Sequence, residues 1–334
     1  FALLATGGHV FGVLLNIGGL MLLLHVALRG PLGNPDKRVA QIQIRRITNA
    51  VLRGFGANIF WSPLGLGLNL LLTLVPALSW TEFLPYGLTA SAVFMSLGWI
   101  FDRLQSPTGR QSYPKDTPGR PWGLLGLLAV LAAISGGASA LETAFGLPLR
   151  GAILMIVPVF AIGWAAIARP TGLSPQRAIA ALGVQTLRQG PVAVNEIAII
   201  ASAGYLGLVI ALLIPNEAVV QFALLTALEG ARLACVLSLL IFVTSIVGLN
   251  PMIAATVCVS AIVSAQIAID PPLLLLSALT GWALALIVSP ATSTVAITSS
   301  AAHQTPATIG LRWNGLFCLG TLAVAIISFL VFWP

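Results

Sequence analysis

A chain of 334 residues that is 58% hydrophobic and only 7% charged, with a mean hydropathy of +1.00, lacks the polar surface that a water-soluble domain must present. The net charge of +7 does not point to nucleic acid, because the basic residues fall in short segments between apolar runs, where they mark cytoplasmic loops. Composition therefore leaves an all-α polytopic membrane protein whose polar partners are lipid head groups and whatever it moves.

In chain order, the run at the start is too polar in its middle (Gly7-Gly8-His9) for a signal peptide, and the sequence leaves open whether an earlier helix precedes Phe1. Residues 3–28 are long and apolar enough for one span. Residues 29–53 then carry Lys37, Arg38, Arg45, Arg46 and Arg53 against the single acid Asp36. With Ile42, Ile44, Ile47 and Val51 recurring among them, they read as an amphipathic helix on the cytoplasmic membrane surface or as an ordinary basic loop. Residues 54–78 hold Ser62-Pro63, a turn follows at Ser79-Trp80-Thr81-Glu82, and the next span is 83–101. The stretch 103–121, rich in Pro, Gly and Arg, is a linker.

Spans are expected at 122–140 and 149–168, with Glu142 in the turn between them, then an inside loop marked by Arg169, Arg177 and Arg188, and a span at 192–214. Glu196, beside Asn195, favours a helix N-terminus there. Residues 218–248 cross once or twice. The preferred reading is an interfacial helix up to Arg232, with Glu229 and Arg232 paired, and one crossing after it. A second break, Gly248-Leu249-Asn250-Pro251, precedes a span at 252–269. Asp270-Pro271-Pro272 then turns the chain into the segment holding Ser289-Pro290, and Asn314 to Phe332 forms the last span.

A proline at membrane depth removes a backbone donor and crowds the preceding turn, so carbonyls near Leu286 and Ile287 lose partners that hydrocarbon cannot replace. The hydroxyls of Thr292, Ser293 and Thr294 either satisfy those groups or join the new helix N-terminus in facing an ion or solute. Lys and Arg counts place 29–53, 103–120 and 169–188 inside, which makes the two Ser-Pro segments antiparallel. Together with the pairing of 83–101 with 314–332, and of 3–28 with 252–269, this is the pattern of an inverted-topology repeat. The expected organisation is a first repeat at 1–102 broken at 62–63, the linker at 103–121, connecting helices at 122–229, and a second repeat at 230–334 broken at 289–290.

Broken helices arranged this way place positive N-terminal ends around one midplane site, which suits an anion or an organic acid. The candidate substrate residues are Asn58, Ser62, Pro63 and Asn69 in the first copy and Ser289, Pro290, Thr292, Ser293 and Thr294 in the second. Hydroxyls in membrane helices also commonly bond their own backbone. Gly248, Asn250 and His9 are candidates for coupling an ion, His9 being either a proton carrier or a hydrogen-bonded core residue. Cys235, Cys258 and Cys318 lie in apolar segments, and His9, His25 and His303 are scattered, so no metal site or cofactor is expected beyond Na+ or H+ as the coupling ion. The sequence also offers no nucleophile–base pair and no nucleotide loop.

The pair Trp61-Ser62-Pro63-Leu64 and Val288-Ser289-Pro290-Ala291, the run Thr292-Ser293-Thr294 and the break Gly248-Leu249-Asn250-Pro251-Met252 resemble the ion transporter superfamily. That superfamily holds arsenite permeases, sodium/dicarboxylate symporters, citrate and gluconate permeases and the large subunits of binding-protein-dependent acid transporters. The likeness covers residues 1–102 and 230–334. It implies a scaffold, a moving transport domain, two hairpins tipped near the substrate and coupling to Na+ or H+. The chain departs from the dicarboxylate branch in lacking Ser-Asn-Thr tips, so substrate identity does not carry over. The expectation is a secondary transporter of about ten spans in a bacterial inner membrane, not an enzyme, moving a small anion or organic acid as a homodimer. The alternatives are a membrane subunit of a multi-component uptake system and an intramembrane enzyme or flippase acting on lipid-linked substrates.

Overall fold

The computed structural model describes residues 1–105, 122–147, 149–167 and 174–333. These residues are all-helical and without a strand, and their long apolar helices make this a membrane-embedded protein. Four segments among them are long and apolar enough to cross a bilayer: Ala2–Leu32, Trp80–Leu104, Pro271–Ala302 and Thr308–Phe332. Gly204–Leu213 and Asn216–Thr226, bent by 79°, make a fifth if they act as one span. Most of the expected linker, and Arg169, lie outside the described residues.

Residues 3–28 do not form the single span expected of them. Helix α1 (Ala2–Leu32) reverses at Asn16, whose backbone sits at φ 49° and ψ −133°. In a straight helix residues 7 and 23 would stand about 24 Å apart. Here a Cβ placed on Gly7 would lie 3.2 Å from the Leu23 side chain, and Gly19 abuts the carbonyl of Phe11. The element is a hairpin of arms 2–15 and 17–32 with Asn16 at its tip. Asparagine is among the few non-glycine residues that accept positive φ.

Helix α2 (Lys37–Gly56) starts on Asp36, whose carboxylate accepts from the amides of Arg38 and Val39. It packs along α1 and is fully buried from Thr48 to Gly56, so it does not lie on the membrane surface as a whole. Arg53, read from the sequence as a loop cation, is 1% exposed. A 3-10 turn (Ala57–Phe60) and the non-helical stretch 61–65 separate α2 from α3 (Leu66–Leu74). Helix α4 (Trp80–Gln105) opens on a capping box. The Glu82 carboxylate accepts from the Ser79 amide at 2.8 Å while the Glu82 amide donates to the Ser79 hydroxyl at 3.3 Å.

Helices α5 (Trp122–Phe145) and α6 (Leu149–Ile167) pack as a pair, with Glu142 in the last turn of α5 rather than in the turn beyond it. Helix α7 (Pro175–Leu213) runs for 39 residues through Pro191, so Arg177 and Arg188 sit on a helix and not in a loop. Glu196 lies mid-helix, not at an N-terminus. Helix α8 (Asn216–Thr226) ends at Ala227, in the left-handed region at φ 48°. Arg232 therefore belongs to the next helix, α9 (Gly230–Ile246), and it forms no ion pair with Glu229.

The expected break at 248–251 is present, but it is the tip of a second hairpin rather than a gap between two spans. Gly248, at φ 110°, ends α9 with the Leu249 amide returning to the Thr244 carbonyl at 3.0 Å. Asn250 caps α10 (Pro251–Ser264) through the Met252 amide at 2.9 Å, and Pro251 occupies the first helical position. The Gly230 amide donates to the Ala268 carbonyl at 2.9 Å, closing the base. The chain then runs through α11 (Pro271–Val288), the interruption at 289–292, α12 (Ser293–Ala302), a π-helical turn (Thr308–Trp313) and α13 (Asn314–Phe332).

Two glycines seat the flanking helices against the interruptions. Gly87 of α4 packs on the Phe60 carbonyl, and Gly310 of the π turn packs on the Val288 carbonyl, with no room for a Cβ at either place. The π turn is held by Asn314, whose amide donates to the Ile309 carbonyl at 2.9 Å and to the Asn49 Oδ1 at 3.0 Å. Asn314 Oδ1 accepts from Arg53 Nε at 2.9 Å. The Arg53 guanidinium also reaches the Gly98 carbonyl at 3.2 Å and stacks 4.3 Å over the Phe317 ring. Nearer the start of α2, Arg46 and Asp102 form a two-pronged ion pair at 3.1 and 2.8 Å. Helices α2, α4 and α13 are thus joined by a polar seam inside an apolar bundle.

Candidate functional site

Both interruptions and both hairpin tips open onto one cavity of about 460 Å³. Asn16 and Gly12 reach it from the first hairpin, Gly248 to Met252 from the second, Asn58 and residues 64–67 from the first interruption, and Ser289 and residues 291–294 from the second. Phe55, Ile59, Trp282 and Leu286 complete the wall. Elements more than 200 residues apart in sequence meet here.

Side chains at the interruptions are spent mainly on carbonyls, the exception being the Ser289 hydroxyl, which also accepts from the Ala291 amide at 3.3 Å. A helix leaves its last carbonyls and its first amides without partners, and in hydrocarbon each must find one. At the second interruption the Thr294 hydroxyl donates to the Leu286 carbonyl, the Thr292 hydroxyl to the Ser289 carbonyl at 2.8 Å, and the Ser289 hydroxyl across to the Ser245 carbonyl of the second hairpin. At the first, the Asn69 side-chain amide donates to the Pro63 carbonyl at 2.6 Å and the Gly65 carbonyl at 3.0 Å, while the Trp80 indole donates to the Trp61 carbonyl at 3.0 Å. The helix starts are treated differently. Neither Gly65 nor Thr292 caps its helix with a side chain, and the first helical residues Leu66, Gly67, Ser293 and Thr294 line the cavity.

The expected site residues divide accordingly. Asn58, Ser289, Thr292, Ser293, Thr294, Gly248 and Asn250 line the cavity. Ser289, Thr292 and Thr294 spend their hydroxyls on carbonyls, and Asn250 spends its side chain on capping α10. Two side chains are uncommitted: Ser293, which is exposed, and Asn58, which is 8% exposed and makes no side-chain hydrogen bond to a described residue. Ser62, Pro63, Asn69 and Pro290 do not line the cavity. The Ser62 hydroxyl is buried without a partner among the described residues, and Asn69 faces a separate pocket beside Glu142.

His9 also lies off the cavity. Its Nε2 accepts from the Trp61 indole at 3.0 Å, which places the ring proton on Nδ1, facing the Gly54 carbonyl at 3.3 Å. With both nitrogens engaged, the imidazole stitches the first hairpin to α2 and to the residue before Ser62. Sequence reasoning missed Asn16 and Trp282. The signal for Asn16 was a lone asparagine ahead of Gly18-Gly19 in an apolar run, whereas Trp282 carried none. Among the described residues no group of His, Cys, Asp and Glu is placed to hold a metal ion. The chain matches no protein-family model, no curated protein and no solved structure.

Proposed function

We propose that this protein is a secondary active transporter that carries a small anion or organic acid across the membrane, driven by a Na+ or H+ gradient. The observation that carries the reading is the treatment of the two interruptions. At both, side chains are spent on carbonyls while a helix start without a side-chain cap lines the cavity, and such an end attracts negative charge.

The same reading makes the chain an inverted-topology repeat of the ion transporter superfamily type. Hairpin, interrupted helix and closing helix follow in one order at 2–32, 37–74 and 80–105, and again at 230–264, 271–302 and 308–332. A glycine backs the carbonyl ahead of each interruption. Treating both hairpins as re-entrant and each interrupted helix as one crossing gives seven crossings in place of the ten expected. The basic residues of α2, the linker, the start of α7 and Arg312 then all fall on the cytoplasmic side of a bacterial inner membrane.

The test is reconstitution into liposomes with imposed Na+ or H+ gradients and a panel of anions, organic acids and neutral solutes. Gradient-driven anion uptake is expected. Gradient-independent conversion of a lipid-linked substrate would replace transport with enzymatic chemistry, and uptake only with an added soluble binding subunit would make the chain part of a larger system.

A further inference from the structure

We infer that the cargo is a monocarboxylate with an apolar body, rather than a dicarboxylate, a tricarboxylate or an inorganic oxyanion; this rests on the anion-transport reading above. The first ground is charge. No Lys, Arg, His, Asp or Glu lines the cavity among the described residues. Each helix N-terminus contributes about half a positive charge at most, offset in part by the helix end before the interruption, so the two together match no more than about one negative charge. At each hairpin tip the end of one arm adjoins the start of the other, so their partial charges oppose. A second carboxylate would be desolvated against Phe55, Ile59 and Leu286 with nothing to balance it, a large cost.

The second ground is shape and lining. A cavity of about 460 Å³ is far larger than a tetrahedral oxyanion requires, and lies within the ordinary range for organic ligands, about 300–1,000 Å³. Asn58 and residues 65–67 and 292–294 contribute the polar lining, while Phe55, Ile59, Trp282 and Leu286 offer an aromatic and aliphatic wall to an apolar body. Trp282 is 5% exposed, lines the cavity, and donates its indole N–H to no described residue. That N–H and the Asn58 amide are donors without a protein acceptor among the described residues, on residues that line the cavity, and a carboxylate supplies one.

The experiment is isothermal titration calorimetry on the full chain in lipid nanodiscs, with benzoate, hexanoate, succinate, citrate and phosphate as probes. Calorimetry avoids the passive leak of weak acids across liposomes. Benzoate and hexanoate are expected to bind and to compete with each other, with succinate, citrate and phosphate at least tenfold weaker. Asn58→Ala, which removes the amide, is expected to weaken benzoate about tenfold, as is Trp282→Phe, which removes the indole N–H together with part of the ring, in variants that still melt cooperatively. Tighter binding of succinate, citrate or phosphate than of benzoate would overturn the inference and leave anion transport standing. Unchanged benzoate affinity in both folded variants would also overturn it. Failure of every anion to bind would overturn the transport reading as well.

Discussion

At the scale of single residues, the polar groups of this apolar chain are mostly occupied with one another. His9 is held by Trp61 on one nitrogen and faces the Gly54 carbonyl with the other, so its work is to fasten a hairpin. His9→Gln is accordingly expected to lower the melting temperature while leaving the pH profile of uptake superimposable on that of the parent. A flattened profile would instead make His9 the proton carrier. Arg53 joins three helices through Asn314, Gly98 and Phe317. Arg53→Ala is expected to cost about 2–3 kcal/mol, read as thermal unfolding in detergent, because it strips a charged donor from buried acceptors. Arg53→Lys should recover part of that loss, since an ammonium reaches one acceptor but reproduces neither the fork nor the stacking. The burial of Arg53 was illegible in the sequence: a cation in a basic stretch counts as a loop residue until the helix carrying it turns inward.

At the scale of elements, the interruptions were legible and the hairpins only half so. Ser62-Pro63 and Ser289-Pro290 announce themselves because proline cannot continue a helix hydrogen-bond ladder. Gly248, Asn250 and Pro251 announce a stop followed by a start. Nothing comparable marks Asn16. Its reversal depends on one residue at positive φ inside a run apolar enough to span the bilayer, and hydropathy does not register direction. Similarly, Pro191, just ahead of the span expected at 192–214, is absorbed inside α7. The glycine contacts make a sharper prediction. Gly310→Leu must push the π turn off the Val288 carbonyl, and is expected to destabilise by about 1–3 kcal/mol and to abolish uptake. Gly315→Leu, five residues on, where a Cβ would meet nothing within 4 Å, serves as the neutral control.

At the scale of the whole molecule, the transporter reading requires the chain to pass its two interrupted helices through the membrane in opposite directions. Replace Cys235, Cys258 and Cys318 by alanine, then introduce Ala77→Cys after α3 or Thr305→Cys after α12, both at exposed positions. A membrane-impermeant thiol reagent added to intact cells is expected to label the first and spare the second, with the pattern reversed in inverted vesicles. Labelling of both from one side would dissolve the inverted repeat.

The spending of Thr294 and Asn69 on their own backbone has a consequence for the working cycle of such a machine. A kinked helix whose carbonyls waited for cargo would sag or collapse whenever the cavity emptied. Here carbonyls at both fractures are already bonded from within, by Thr294 to Leu286 and by Asn69 to Pro63 and Gly65. On the transporter reading, those bonds do not depend on cargo, so the empty protein keeps its fractures braced and makes its return stroke alone.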